Sequence, residues 1–99
     1  MKAQNTLKIY ERITKKSKSS YRYFFIRKDL HSMFDNLGIF SLTCSDGTHY
    51  ENLNVHTSKT GYRHFIYASE FFNDHPQLEK GIDVSFSIDQ IKKTIHVVL

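Results

Sequence analysis

The chain is poor in the residues that staple, break or anchor a fold. Cys44 is its only cysteine and Pro76 its only proline, and four glycines punctuate 99 residues. A lone cysteine excludes an internal disulfide and favours a reducing compartment over secretion. No apolar run approaches the roughly 20 residues of a membrane span, and the N-terminal MKAQNTLKIYERITKK has no signal-peptide apolar core. A cytoplasmic protein is expected, or a nuclear one if the source has a nucleus, with no membrane partner. Repeats, low-complexity tracts and linkers are also missing, so residues 1–99 are expected to form one domain around one core.

Two function classes lose support in the same way. The six histidines, 31, 49, 56, 64, 75 and 96, show no paired ligand spacing and there is no second cysteine, so no metal and no cofactor is expected. The carboxylates are scattered over turns and helix starts, as with Asp29, Asp46, Glu70, Asp83 and Asp89, without the cluster a metal-dependent nuclease needs. No catalytic residue is assigned, and the chain is not read as an enzyme. Cys44 alternates with polar residues on the apolar face of a strand, the place of a buried inert thiol.

What is present is unevenly placed charge. Residues 1–28 carry nine of the fourteen Lys and Arg against one acid, Glu11, for a local net charge of +8. From Asp29 onward five bases face nine acids, giving −4. Such polarity points to an anionic polymer or surface as partner. The basic excess centres on TKKSKSSYR, residues 14–22, where Lys15, Lys16, Lys18 and Arg22 lie among hydroxyl side chains. Phosphate oxygens accept from all of these, Ser19 and Ser20 included, and Tyr21 adds a base or sugar contact. HTSKTGYRH, residues 56–64, repeats the chemistry with Ser58, Lys59, Thr60, Tyr62, Arg63 and His64.

Around these loops the pattern is mainly β. LKIYERI and YRYFFI alternate with period two and predict an antiparallel pair joined by the first loop, the second strand central. Asp29 is placed to cap a helix over 29–37, ended by Gly38. IFSLTCS, Asp46-Gly47, HYENLNVHT, Lys59-Thr60-Gly61 and YRHFIYA read as a three-stranded meander over 39–68. Ser69 is placed to cap a second short helix ending near Leu78. DVSFSID and TIHVVL close the chain as strands, with Ile95, Val97 and Leu99 inward. The sum is a mainly β domain with about seven strands and two short helices. Tyr23, Phe24, Phe25, Phe65 and Tyr67 fit either a barrel core, the favoured reading, or a stacking platform for single strands.

In order, IYERITKKSKSSYRYFFIRKDLHSMF and GIFSLTCSDGTHYENLNVHTSKTGYRHFIYASEFFNDHPQLEKGIDVSFSI run strand, polar loop, apolar strand, short helix, strand, Asp-Gly turn, strand, basic turn, strand, helix, Gly-x-Asp and strand. Over about 90 residues this resembles the plant-type B-three DNA-binding domain, a seven-stranded open pseudobarrel also found in some type II restriction endonucleases. Arg27 stands where that family usually has proline, and Ala68-Ser69 replace its common glycine-tryptophan. The resemblance implies a non-enzymatic, double-stranded DNA-binding domain whose first-to-second and fourth-to-fifth strand loops are two arms gripping the major groove. By position those arms are 14–22 and 56–64. Six phosphate contacts, from Lys15, Lys16, Lys18, Arg22, Lys59 and Arg63, would give a log–log salt slope of roughly −5. Arg22 and Arg63 are the expected base readers, since a guanidinium pairs bidentately with guanine. The alternatives are a single-stranded RNA or DNA binder of oligonucleotide-binding type, for which TLKIYERI, YFFI, HFIYAS and LEKGIDVSF echo a cold-shock barrel, and a small protein-interaction or inhibitor module. The sequence leaves oligomeric state and recognised bases open.

Overall fold

In the computed structural model, residues 5–14, 16 and 18–99 are described. The chain is mainly β, with eight strands in one sheet and two short helices. The strands are β1 (Thr6–Ile13), β2 (Ser20–Ile26), β3 (Phe40–Cys44), β4 (His49–Leu53), β5 (Val55–Thr57), β6 (His64–Ile66), β7 (Asp83–Asp89) and β8 (Thr94–Val98). Their order across the sheet is β4-β3-β8-β7-β1-β2-β6-β5. β1 and β2 form the predicted antiparallel pair, with Tyr10 opposite Tyr23 and Arg12 opposite Tyr21. β2 is interior, flanked by β1 and β6.

The expected meander over 39–68 is not formed, and the seventh strand becomes an eighth for the same reason. HYENLNVHT is two strands, not one: Asn52 takes a left-handed φ of 61° and the ladder breaks at Asn54. β4 pairs with β3, β5 pairs with β6, and the two lie at opposite edges of the sheet. A single residue, Asn54, therefore joins the two edges. Since consecutive Cα atoms are about 3.8 Å apart, the edges must come within about 8 Å of each other there. The sheet curls into an open half-barrel. Long-range pairings include the parallel one of β3 with β8, Leu42 opposite Ile95, and the antiparallel one of β1 with β7, Leu7 opposite Val84.

The helices differ in detail from expectation. Lys28–Met33 is a 3-10 helix followed by turns, shorter than the predicted 29–37. Asp29 lies in its first turn and pairs with Arg27 at 3.5 Å, leaving the N-cap position to Arg27. α1 (Ser69–Asp74) starts one residue after Ala68, so Ser69 is helical and makes no side-chain cap. It stops at Asp74 because Pro76 follows closely, well short of Leu78.

Alternate residues of the strands fill the concave side. Leu7, Ile9, Phe24, Ile26, Leu42, Ile66, Ile95 and Val97 are essentially inaccessible, and Leu30, Phe34, Leu37, Phe71 and Phe72 complete the same cluster from the helices and their turns. Phe24 packs between Phe71 and Phe72, with ring centroids 5.2 and 4.9 Å away. Removing a side chain so enclosed costs about 3–5 kcal/mol. Leu99, expected inward, is exposed beyond the last pairing. Cys44 is buried, and desolvation pushes its thiol pKa up. No helix among the described residues is long and apolar enough to cross a membrane.

Candidate nucleic-acid interface

The two basic loops close upon themselves by backbone bonds. Thr14 N–H donates to Ser19 O at 2.8 Å and Lys18 N–H to Thr14 O at 3.0 Å, with Lys18 itself at φ 53°. Thr14 Oγ1 also donates to Ser19 O at 3.1 Å. This holds the exposed Lys16, Lys18, Ser19 and Ser20 on a tight hairpin end; Lys15 and Ser17 lie outside the described residues. In the second loop Ser58 N–H donates to Arg63 O and Gly61 N–H to Ser58 O, both at 2.9 Å. Gly61 adopts φ 76°, a value that costs other residues strain. Ser58 Oγ accepts from Arg63 N–H at 3.2 Å and bonds Thr60 Oγ1 at 3.1 Å, so these hydroxyls shape the loop. Lys59, Tyr62 and Arg63 project from it.

The strand registers fix where the loops stand. The first adjoins Ser20 at the start of β2. The second leads into His64, which pairs with Ile26 at the end of β2. The loops therefore occupy opposite ends of one strip of sheet, six residue steps apart, or about 20 Å at the usual rise per residue. They do not converge on one rim. Arg27 and Lys28 follow Ile26 and add positive charge at the second end, which sequence reading passed over.

Between the ends lies the strip's outer face. Phe24 and Ile26 point into the core, so Tyr21, Tyr23 and Phe25 point out, joined by Tyr10 and Arg12 of β1, Phe65 of β6, and Tyr67. The rings pack in a continuous ridge: Tyr10 on Phe25 at 5.0 Å and 17°, Tyr23 against Phe65 at 5.3 Å and 85°, Tyr21 and Tyr67 at 6.0 Å, and His56 on Tyr67 at 4.9 Å. Tyr23 and Phe65 are each only 7% exposed yet belong outside the main core; their neighbours on the ridge bury them. Burial raises the Tyr23 pKa, opposed by the nearby Arg12 charge. Of the five aromatics offered as core or platform, Phe24 belongs to the main core, Tyr23 and Phe65 are buried on the outer face, and Phe25 and Tyr67 are more exposed. When both faces of a strand are apolar, alternation alone does not say which is inner.

Two predicted contact residues face the other way. Arg22 shares the inward parity of Phe24 and lies over the Phe72 ring at 5.2 Å. Its Nη2 donates to Phe72 O at 2.8 Å, and its Nη1 to Leu78 O and, at 3.4 Å, to the carbonyls of His75 and Pro76. The guanidinium thus ties the end of α1 and the following turn to β2, and is not presented as a base reader. His64 shares the parity of Ile66; its ring lies 3.7 Å from that of His31, and burial, then the neighbouring His31, lowers its pKa. Arg12, across the ladder from Tyr21, is a cation that the outer face does offer, as is Lys8, opposite Phe25 and 4.0 Å from Asp83.

A second polar cluster binds the β3–β4 turn to α1. His75 is 3% exposed, and its two ring nitrogens meet Phe71 O at 2.8 Å and Asp46 Oδ2 at 2.7 Å. Desolvation works against its charge, but the Asp46 and Phe71 bonds outweigh it and raise its pKa. Asp46, bonded first by Thr48 and then by His75, is lowered to about 2. Tyr50 donates to Asp74 at 2.7 Å, and burial followed by that carboxylate pushes its pKa to about 12. Among the described residues no group of three His, Cys, Asp or Glu is arranged to hold a metal ion.

Comparison with protein-family models, with curated proteins and with solved structures finds no match to this chain.

Proposed function

We propose that the chain is a non-enzymatic double-stranded DNA-binding domain that lays the outer ridge of β1-β2-β6 into a major groove, with the two loops on the phosphates at either side. One observation carries this reading: basic ends about 20 Å apart, by the rise per residue, bracket a raised and ordered face. The major groove is about 12 Å wide and admits a two-stranded β-ribbon, so a strip of this length overreaches both of its walls. Lys16 and Lys18 serve one backbone and Lys59 and Arg63 the other, with Arg12 over the bases. This replaces a pair of arms closing from one rim with a strip that straddles the groove. Asp46 with His75 and Asp74 with Tyr50 are acids that hold the fold together.

The outward aromatics also favour a second reading, a platform for single-stranded nucleic acid. Ring geometry argues against it as the main mode. A base needs a free ring face, whereas Tyr10 and Phe25 each give one face to the other and Tyr23 and Phe65 are nearly covered. Anisotropy titrations with duplex DNA, single-stranded DNA and RNA, repeated over a salt series, test the proposal. Four phosphate contacts give a log–log slope of about −3.6 on duplex. Salt-insensitive binding, or tighter binding to single strands than to duplex, would sink it.

A further inference from the structure

The β2-β6 ladder runs only from Phe24 to Ile26. Along Ser20–Tyr23, β2 therefore has β1 as its strand neighbour on one side, while on the other β6 has already ended and the chain turns through Tyr67 and Ala68 into α1. The gap is a pocket of roughly 220 Å³ lined by Ser20, Tyr21, Arg22, Tyr67, Ser69, Phe72 and Asn73, among others. It is smaller than the roughly 300–1,000 Å³ of sites for drug-sized ligands. α1 closes the side along which an added peptide strand would have to continue. The cleft on the other flank of Arg22 is lined by Glu11 and Glu79 as well as Lys80, a poor setting for phosphate.

We propose that this pocket receives a single nucleobase turned out of the duplex lying on the adjacent ridge. The inference rests on the DNA-binding reading above, because Tyr21 and Tyr67 belong to both surfaces and form the shared lip. Apolar walls from Tyr67 and Phe72 suit a planar heterocycle. Ser20, Ser69 and Asn73 bring donors and acceptors that a base edge requires, and a carboxamide pairs with such an edge bidentately. Arg22 forms the floor, held by its four carbonyl partners, so its charge is fixed in place and not spent on the DNA backbone. Turning a base out is least costly where it is mismatched or unpaired, so the pocket confers a preference for such sites.

The test uses the full chain with two duplexes that differ only at one central 2-aminopurine, paired with thymine in one and mismatched in the other. Binding is expected to raise 2-aminopurine fluorescence and to favour the mismatched duplex about tenfold, in line with the saved unpairing energy. Asn73→Leu, at an exposed helical position, fills the pocket; it should abolish the fluorescence change and the preference while leaving affinity for the paired duplex and the melting temperature unchanged. Asn73→Ala should weaken the preference without adding bulk. Equal affinity for both duplexes with no fluorescence change overturns the pocket and leaves the DNA-binding reading standing. No binding to either duplex at low salt overturns both.

Discussion

One sheet carries two unlike outer faces. On β3-β8-β7 the outward positions are mostly polar, among them Ser41, Thr43, Thr94, His96, Ser85 and Ser87 beside the exposed Val98, with Ser41 Oγ bonding Thr94 Oγ1 at 3.1 Å. On β1-β2-β6 the equivalent positions include Tyr10, Tyr21, Tyr23, Phe25 and Phe65, with Lys8 and Arg12. Both faces back onto the same core through the same pleat, and hydroxyl residues evidently satisfy a solvated face here. The aromatic half therefore has no explanation in the needs of the sheet. Rings kept at a surface, bracketed by cations at both ends, are what a surface built for contact would hold.

Substitutions on the two halves should have unlike effects. The largest effect belongs to the residue that looks like part of the basic face but is not. Arg22→Ala leaves partly buried carbonyls without their donor and forfeits the Phe72 contact, and should cost about 1–3 kcal/mol of stability by chemical denaturation. Arg12→Ala, on the outer side of the neighbouring strand, should change stability by no more than about 0.5 kcal/mol while weakening duplex binding. If the two exchange places, the assignment of faces is wrong.

Next come the rings. Tyr10→Ala and Tyr67→Ala are each expected to lower duplex affinity about tenfold, the order of one good contact. Thr43→Ala and Ser87→Ala on the hydroxyl half should leave it unchanged in the same titration. Equal losses on the two halves would erase the distinction between them. The loop ends give a subtler readout: Lys16→Ala with Lys18→Ala, or Lys59→Ala with Arg63→Ala, should each flatten the salt slope by about 2. A change at one end only would mean that the strip meets a single backbone.

The smallest expected effect concerns pH and lies away from both faces. The raised His75 pKa means that its contribution is complete below about 6.5 and fades as pH climbs through the folded value. The lowered Asp46 pKa means that its contribution is complete above 3.8 and fades as pH falls toward about 2. Thermal melts should therefore show this link strongest between about pH 4 and 6.5. His75→Gln should flatten the decline on the alkaline side, and an unchanged profile would remove the pair from the account.

Much of this was legible in the chain. Period-two alternation located β1, β2, β3, β7 and β8, and Asp46-Gly47 located a hairpin turn, because local backbone chemistry decides those features. Parity also held information left unused: Arg22 alternates in step with Phe24 and Ile26, and His64 with Ile66, which places both on the core side. What could not be read was non-local. Nothing near Asn54 announces that the strands on either side of it belong to opposite edges, since their partners are chosen by how the whole sheet curls. The ridge was hidden for a related reason: Tyr23 and Phe25 differ from Phe24 only in facing away from a core that the strand alone does not define.

The single-residue joint at Asn54 has a consequence for how these molecules tolerate one another. A flat sheet ends in two rows of unpaired peptide groups, and each is a template on which another chain can add. Here the two terminal strands are tethered side by side, one of them three residues long, and Asn52 kinks the other. A foreign strand meets a short, bent seam in place of a long straight border. Many copies at high concentration could then sit shoulder to shoulder without zipping into fibrils.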